Sequence, residues 1–65
     1  MSSISSQKFE RLPAVLARVG LSRSALYRLV DGGKFPRPVK LGERAIAWDS
    51  RAVDRWIKAK IAEAA

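Results

Sequence analysis

The chain has 65 residues, with thirteen Lys and Arg against six Asp and Glu, a formal charge of +7, and neither cysteine nor histidine. A chain this short forms one domain with a small core and leaves little room for a deep catalytic cleft. The missing residue types exclude disulfides, thiolate chemistry, imidazole acid/base catalysis and the common zinc ligand sets, so no enzyme, cofactor or metal site is expected, while the basic excess favours a polyanionic partner, nucleic acid first.

Met1 to Gln7 is Ser-rich and aperiodic, which predicts a disordered N-terminal arm over 1–8 ahead of a domain at 9–62 and a frayed tail at 63–65. The arm lacks a hydrophobic signal core, and no apolar run approaches the about 20 residues needed to cross a bilayer. A cytoplasmic protein without membrane association is the resulting expectation. Pro13 suits the first turn of a helix, where its missing N–H costs nothing, and Val15, Leu16 and Val19 form one apolar stripe that Gly20 ends. Ser22 is a good N-cap for a second helix over 22–31, whose Ala25, Leu26, Leu29 and Val30 face inward until Gly32 and Gly33 stop it. That spacing sends Arg23, Ser24, Tyr27 and Arg28 away from the apolar face.

The run Lys34-Phe35-Pro36-Arg37-Pro38 cannot be helical, because proline restricts both itself and the residue before it. A hairpin over 39–48 is predicted next. With Gly42-Glu43 as a two-residue turn, Leu41 pairs with Arg44, Lys40 with Ala45 and Val39 with Ile46, which places Val39, Leu41, Arg44, Ile46 and Trp48 on one face. Arg44, beside the turn, extends past the core edge as a wing cation would. Asp49 or Ser50 then caps a closing helix in which Val53, Trp56, Ile57, Lys60 and Ile61 form the packing stripe and Asp54 pairs with Lys58. Trp48 and Trp56 coincide with apolar stripes and read as core aromatics rather than base-stacking platforms.

The string RLPAVLARVGLSRSALYRLVDGGKFPRPVKLGERAIAWDSRAVDRWI, Arg11 to Ile57, resembles AlpA-type prophage regulators. These belong to a broader group of MerR-like and excisionase-like winged helix-turn-helix proteins. The segments that carry the resemblance are LSRSALYRL, FPRPVKLG and the pattern from Trp48 to Val53-Asp54-Arg55-Trp56-Ile57. The implied fold is mainly α with a small β-hairpin: a helix-turn-helix, a hairpin wing and a closing C-terminal helix. The implied function is sequence-specific binding of double-stranded DNA to regulate transcription of a prophage or mobile element, with an excisionase-like recombination directionality factor as the alternative.

On that reading the second helix enters the major groove, with Ser22, Arg23, Ser24, Tyr27 and Arg28 meeting base edges and phosphates. Lys34, Arg37, Lys40 and Arg44 supply loop and wing contacts. Two base-reading arginines give modest specificity, so more than one copy should bind, and a homo-oligomer on DNA is left open between tandem monomers and a symmetric dimer. RNA polymerase or an integrase is the candidate protein partner. An RNA-binding or protein-interaction module is a further alternative, although no exposed aromatic platform for single-stranded bases is apparent.

Overall fold

A computed structural model describes residues 8–64; the N-terminal arm expected over 1–8 therefore lies, but for Lys8, outside the described residues. In chain order the elements are β1 (Phe9–Glu10), α1 (Leu12–Val19), α2 (Arg23–Asp31), β2 (Val39–Lys40), β3 (Ile46–Asp49) and α3 (Ser50–Ala64). The strands form one antiparallel sheet in the order β1-β3-β2. The molecule is mainly helical with a small sheet, a winged helix-turn-helix arrangement.

Local chemistry accounts for the helical pair. Pro13 sits in the first turn of α1, and Gly20 closes it in the left-handed region at φ 71°, donating its N–H to the Leu16 carbonyl at 2.8 Å. Ser22 Oγ accepts from the Ala25 N–H at 3.2 Å and caps α2. At the other end, Gly33 N–H donates to the Val30 carbonyl and Lys34 N–H to the Leu29 carbonyl, with Gly33 at φ 75°. These two bonds are the Schellman pattern, which turns the chain sharply out of the helix. Side chains at Leu26 and Val30 are buried and Ala25 and Leu29 half-buried, as the spacing predicts.

The core joins Val15 of α1, Leu26 and Val30 of α2, Phe35, Trp48 of β3 and Val53 of α3. Phe35 was not expected there. Its neighbours Lys34, Pro36 and Arg37 mask it in sequence, yet its ring meets Trp56 edge-on at 4.9 Å and Trp48 at 6.4 Å. Both indole N–H groups are satisfied by the same loop. Trp48 Nε1 donates to the Pro36 carbonyl and Trp56 Nε1 to the Lys34 carbonyl, each at 2.8 Å. A segment that cannot make helical or strand bonds is thus anchored by two tryptophans.

The hairpin register differs from expectation by one residue. Val39 faces Ala47 and Lys40 faces Ile46, and Leu41 N–H donates to the Ala45 carbonyl at 2.7 Å, which leaves a three-residue loop at Gly42, Glu43 and Arg44. A two-residue hairpin turn needs positive φ in at least one of its residues, and neither Gly42 nor Glu43 adopts it. Because side chains alternate along a strand, the one-residue shift moves Val39 and Leu41 to the outer face while Ile46 and Trp48 stay on the core. Arg44 accordingly lies within the loop rather than opposite Leu41, and Lys40 opposes Ile46 rather than Ala45.

A third strand, β1, also escapes the sequence pattern, since two residues carry no periodicity. It pairs Phe9 with Asp49 and Glu10 with Trp48, so Glu10 points inward and Phe9 outward. Arg18 of α1 holds Glu10 Oε2 at 2.5 Å and Asp54 of α3 through its other amino group, tying three elements together. The hydrogen bond to Asp54, followed by that to Glu10, raises the Arg18 pKa further above its usual value. Asp54 is therefore taken by Arg18, and no Asp54–Lys58 pair forms among the described residues.

Asp49 Oδ1 accepts from the Arg51 N–H at 3.0 Å and caps α3. The packing stripe of α3 stops at Ile57: Lys60 and Ile61, expected within it, are exposed, because the helix has by then run past the core. Lys60 instead lies 5.6 Å above the Trp56 ring and pairs with Glu63.

Two glycine replacements distinguish the observed turn from the expected one. Gly33→Ala should cost about 1 kcal/mol, because a side chain at positive φ is strained, whereas Gly42→Ala should leave the melting temperature unchanged. A thermal melt of both variants checks this; a loss at Gly42 matching that at Gly33 would restore the two-residue turn.

Candidate nucleic-acid interface

The exposed side of α2 follows directly from burying Leu26 and Val30. Arg23, Ser24 and Arg28 are exposed, and Asp31 closes that side at the helix C-terminus, so the positive part is the first two turns. The backbone N–H groups at the same end add a partial positive charge. Tyr27 is half-buried rather than outward, its ring 6.4 Å from that of Trp48 and tilted by 56°. Ser22, the cap, is exposed and engaged with the Ala25 N–H.

Lys34, Arg37, Lys40 and Arg44 are all exposed. Lys34 and Arg37 lie on the segment pinned by the two indoles, which fixes their backbone positions relative to the end of α2. Lys40 is on β2 and Arg44 on the hairpin loop. Among the described residues, none of these four, nor Arg23 or Arg28, enters an ion pair, whereas Arg18 and Lys60 do. The cations around α2 and the hairpin are thus chemically uncommitted donors, and Arg18 is structural.

Arg55 is a further cation, one that the sequence pattern does not single out. It lines a shallow depression with Gly33, Lys34, Phe35, Pro36, Ala52 and Trp56, so that depression has two cations in its lining. Nothing in local sequence relates the two, since the loop and α3 meet through tertiary contacts of Trp56 with the Phe35 ring and the Lys34 carbonyl. Among the described residues, no group of three or more His, Cys, Asp or Glu could hold a metal ion, and no helix is long and apolar enough to cross a membrane. Side chains that donate hydrogen bonds and carry positive charge dominate, a chemistry suited to phosphate oxygens and to base-edge acceptors.

The family model for the prophage CP4-57 regulatory protein (AlpA) matches residues 8–61, nearly every described residue. The chain belongs to the AlpA family of prophage regulatory proteins. Within curated proteins it is 39% identical over 62 residues to the uncharacterized protein ORF88 of Enterobacteria phage P4, covering 95% of this chain and 70% of that one. It is also 27% identical over 63 residues to the DNA-binding transcriptional activator AlpA of Escherichia coli K12, covering 88% of this chain and 90% of the relative. No solved structure matches significantly. The AlpA-family match takes in β1, α1, α2 and the hairpin strands whole and α3 as far as Ile61.

Proposed function

We propose that this AlpA-family chain is a sequence-specific double-stranded DNA-binding transcriptional regulator of a prophage or mobile element. The observation that carries the reading is that Arg23 and Arg28, on the second helix of a helix-turn-helix in a chain of charge +7, are exposed and form no ion pair among the described residues. Helix α2 enters the major groove N-terminus first, with Arg23, Ser24 and Arg28 on base edges and flanking phosphates. Tyr27, held against Trp48, offers only its outer edge. Ser22 and the α2 N-terminus receive a phosphate, and Lys34, Arg37, Lys40 and the Arg44 loop grip the backbone on either side.

That one relative is named a DNA-binding transcriptional activator supports RNA polymerase, rather than an integrase, as the protein partner. Such a protein acts where the DNA is, in the cytoplasm.

The direct test is electrostatic. With about four phosphate contacts per copy, log K for duplex DNA should fall against log salt with a slope of about −3.6 per bound monomer. Binding isotherms at several salt concentrations measure this, and competition by single-stranded RNA at one of them should be weak. A salt-independent affinity, or preference for the single-stranded RNA, would defeat the reading.

A further inference from the structure

Six carboxylates stand against thirteen cations in this chain, and four of the six have a structural task. Glu10 and Asp54 hold Arg18, Asp49 caps α3, and Glu63 pairs with Lys60. Glu43 is on the hairpin loop. Asp31 is the sixth. It is exposed at the C-terminal end of α2, with no ion pair and no side-chain hydrogen bond among the described residues.

Local chemistry opposes a carboxylate at this position. Its oxygens accept hydrogen bonds, and the free backbone groups at a helix C-terminus are carbonyls, which are acceptors as well. The N–H groups that follow, those of Gly32, Gly33 and Lys34, are spent on the carbonyls of Arg28, Val30 and Leu29. The negative end of the helix dipole also repels an anion there, and an arginine three residues earlier is the less favourable order for a helical ion pair. A polyanionic partner adds to the cost, because a negative charge on the reading helix repels phosphates.

Ser24, Arg28 and Asp31 follow one another at spacings of four and three residues, so they share the face of α2 turned away from Leu26 and Val30. From Arg28 to Asp31 the helix rises about 4.5 Å, against a step of about 3.4 Å between successive bases. A helix that brings Arg28 to a base edge therefore brings Asp31 to a neighbouring one. In the major groove a carboxylate accepts only from the amino groups of cytosine and adenine. Guanine and thymine present acceptors, and adenine sets its N7 acceptor beside the amino group, whereas cytosine offers the N4 donor alone.

We propose that Asp31 determines specificity by accepting from the N4 amino group of a cytosine within about two base pairs of the guanine that Arg28 meets, and by repelling guanine and thymine from that position. A charge that weakens both the helix and general affinity is thereby used to discriminate, since an unpaired carboxylate against an acceptor penalises the wrong sequence. This rests on the DNA-binding reading, with α2 in the major groove, and extends it to the base composition of the site: a guanine and a cytosine close together in the part that α2 covers.

Selection from a randomised pool of duplexes tests the proposal apart from that reading. The parent, Asp31→Ala, Asp31→Asn and Arg28→Ala each select from the pool, and the bound sequences are compared. Failure of the parent to enrich any sequence defeats the DNA reading itself. The parent should enrich a guanine that Arg28→Ala relaxes, with a cytosine near it. Asp31→Ala should keep that guanine and relax the cytosine, its preference there falling from about ten-fold to below about two-fold. Asp31→Asn should move the same position towards adenine, because a carboxamide pairs with adenine N6 and N7. On random duplex both Asp31 variants should bind about two-fold tighter, with one negative charge fewer facing the phosphates.

Enrichment of the complete parental sequence by both Asp31 variants would overturn the proposal, whatever their affinity for random duplex, since Asp31 would then act through its charge alone. A thermal melt supplies the control. Both variants should melt at or above the temperature of the parent, because the substitution relieves the dipole at the end of α2. A fall in both would give Asp31 a task inside the fold and would equally overturn its assignment as a base reader.

Discussion

Trp48→Ala is expected to unfold the domain. The side chain is fully buried, packs against Phe35 and Tyr27, and donates its indole N–H to the Pro36 carbonyl. Removing a large buried aromatic costs about 3–5 kcal/mol through lost burial and the cavity left behind. Stability of about 0.05–0.15 kcal/mol per residue leaves a domain this size roughly 3–10 kcal/mol in all. The variant should therefore show a collapsed melting transition in circular dichroism at ordinary temperature. Trp48→Phe keeps most of the ring but drops the hydrogen bond and should be intermediate, at about 1–2 kcal/mol. A Trp48→Ala protein that melts like its parent would mean that the 34–38 loop is not anchored through this residue.

Which parts of this fold could be read from the chain depends on the range of the interaction that decides them. Helices α1 and α2 were legible because Pro13, Gly20, Ser22 and Gly33 act on their own or neighbouring backbone groups, and because Leu26 and Val30 repeat at helical spacing. Trp48 was legible as core from its apolar context. The hairpin register was not, since it turned on whether Gly42 takes positive φ, and one residue of loop decided which face Val39 and Leu41 occupy. Phe35 was hidden by its prolines and charges, and its burial is set by two tryptophans distant in sequence.

Periodicity in α3 identifies a face but carries no information on where its partner ends, so Lys60 and Ile61 share the stripe in sequence and are exposed in the fold. Arg18 illustrates the same limit for charges: its partners are 8 and 36 residues away, and the local Asp54–Lys58 spacing was the weaker competitor. In the candidate interface, the exposed positions on α2 follow from the apolar spacing, whereas the half-burial of Tyr27 and the place of Arg55 in the same depression as Lys34 depend on tertiary packing.

Reading and gripping should separate by mutation. Arg23 and Arg28 are on the exposed side of α2, while Arg44 is on the hairpin loop. An arginine placed bidentately on guanine contributes about 1–3 kcal/mol of discrimination, present only when the sequence fits. Arg23→Ala and Arg28→Ala should therefore lose about 1–3 kcal/mol on the specific site and much less on random duplex, so that specificity falls toward background. Arg44→Ala should weaken both duplexes by similar factors and reduce the salt slope by about one, as expected for one lost phosphate contact. All three side chains are exposed and without ion pairs among the described residues, so the variants should retain the melting temperature of the parent.

The decisive measurement is a titration of the parent, Arg23→Ala, Arg28→Ala and Arg44→Ala on the site footprinted around the chain's own gene and on a scrambled duplex, at two salt concentrations. The α2 variants should lose the preference for the true site, and Arg44→Ala should keep it at lower overall affinity. Loss of preference in Arg44→Ala with full preference in both α2 variants would make the hairpin loop the reader and contradict the placement of α2 in the major groove.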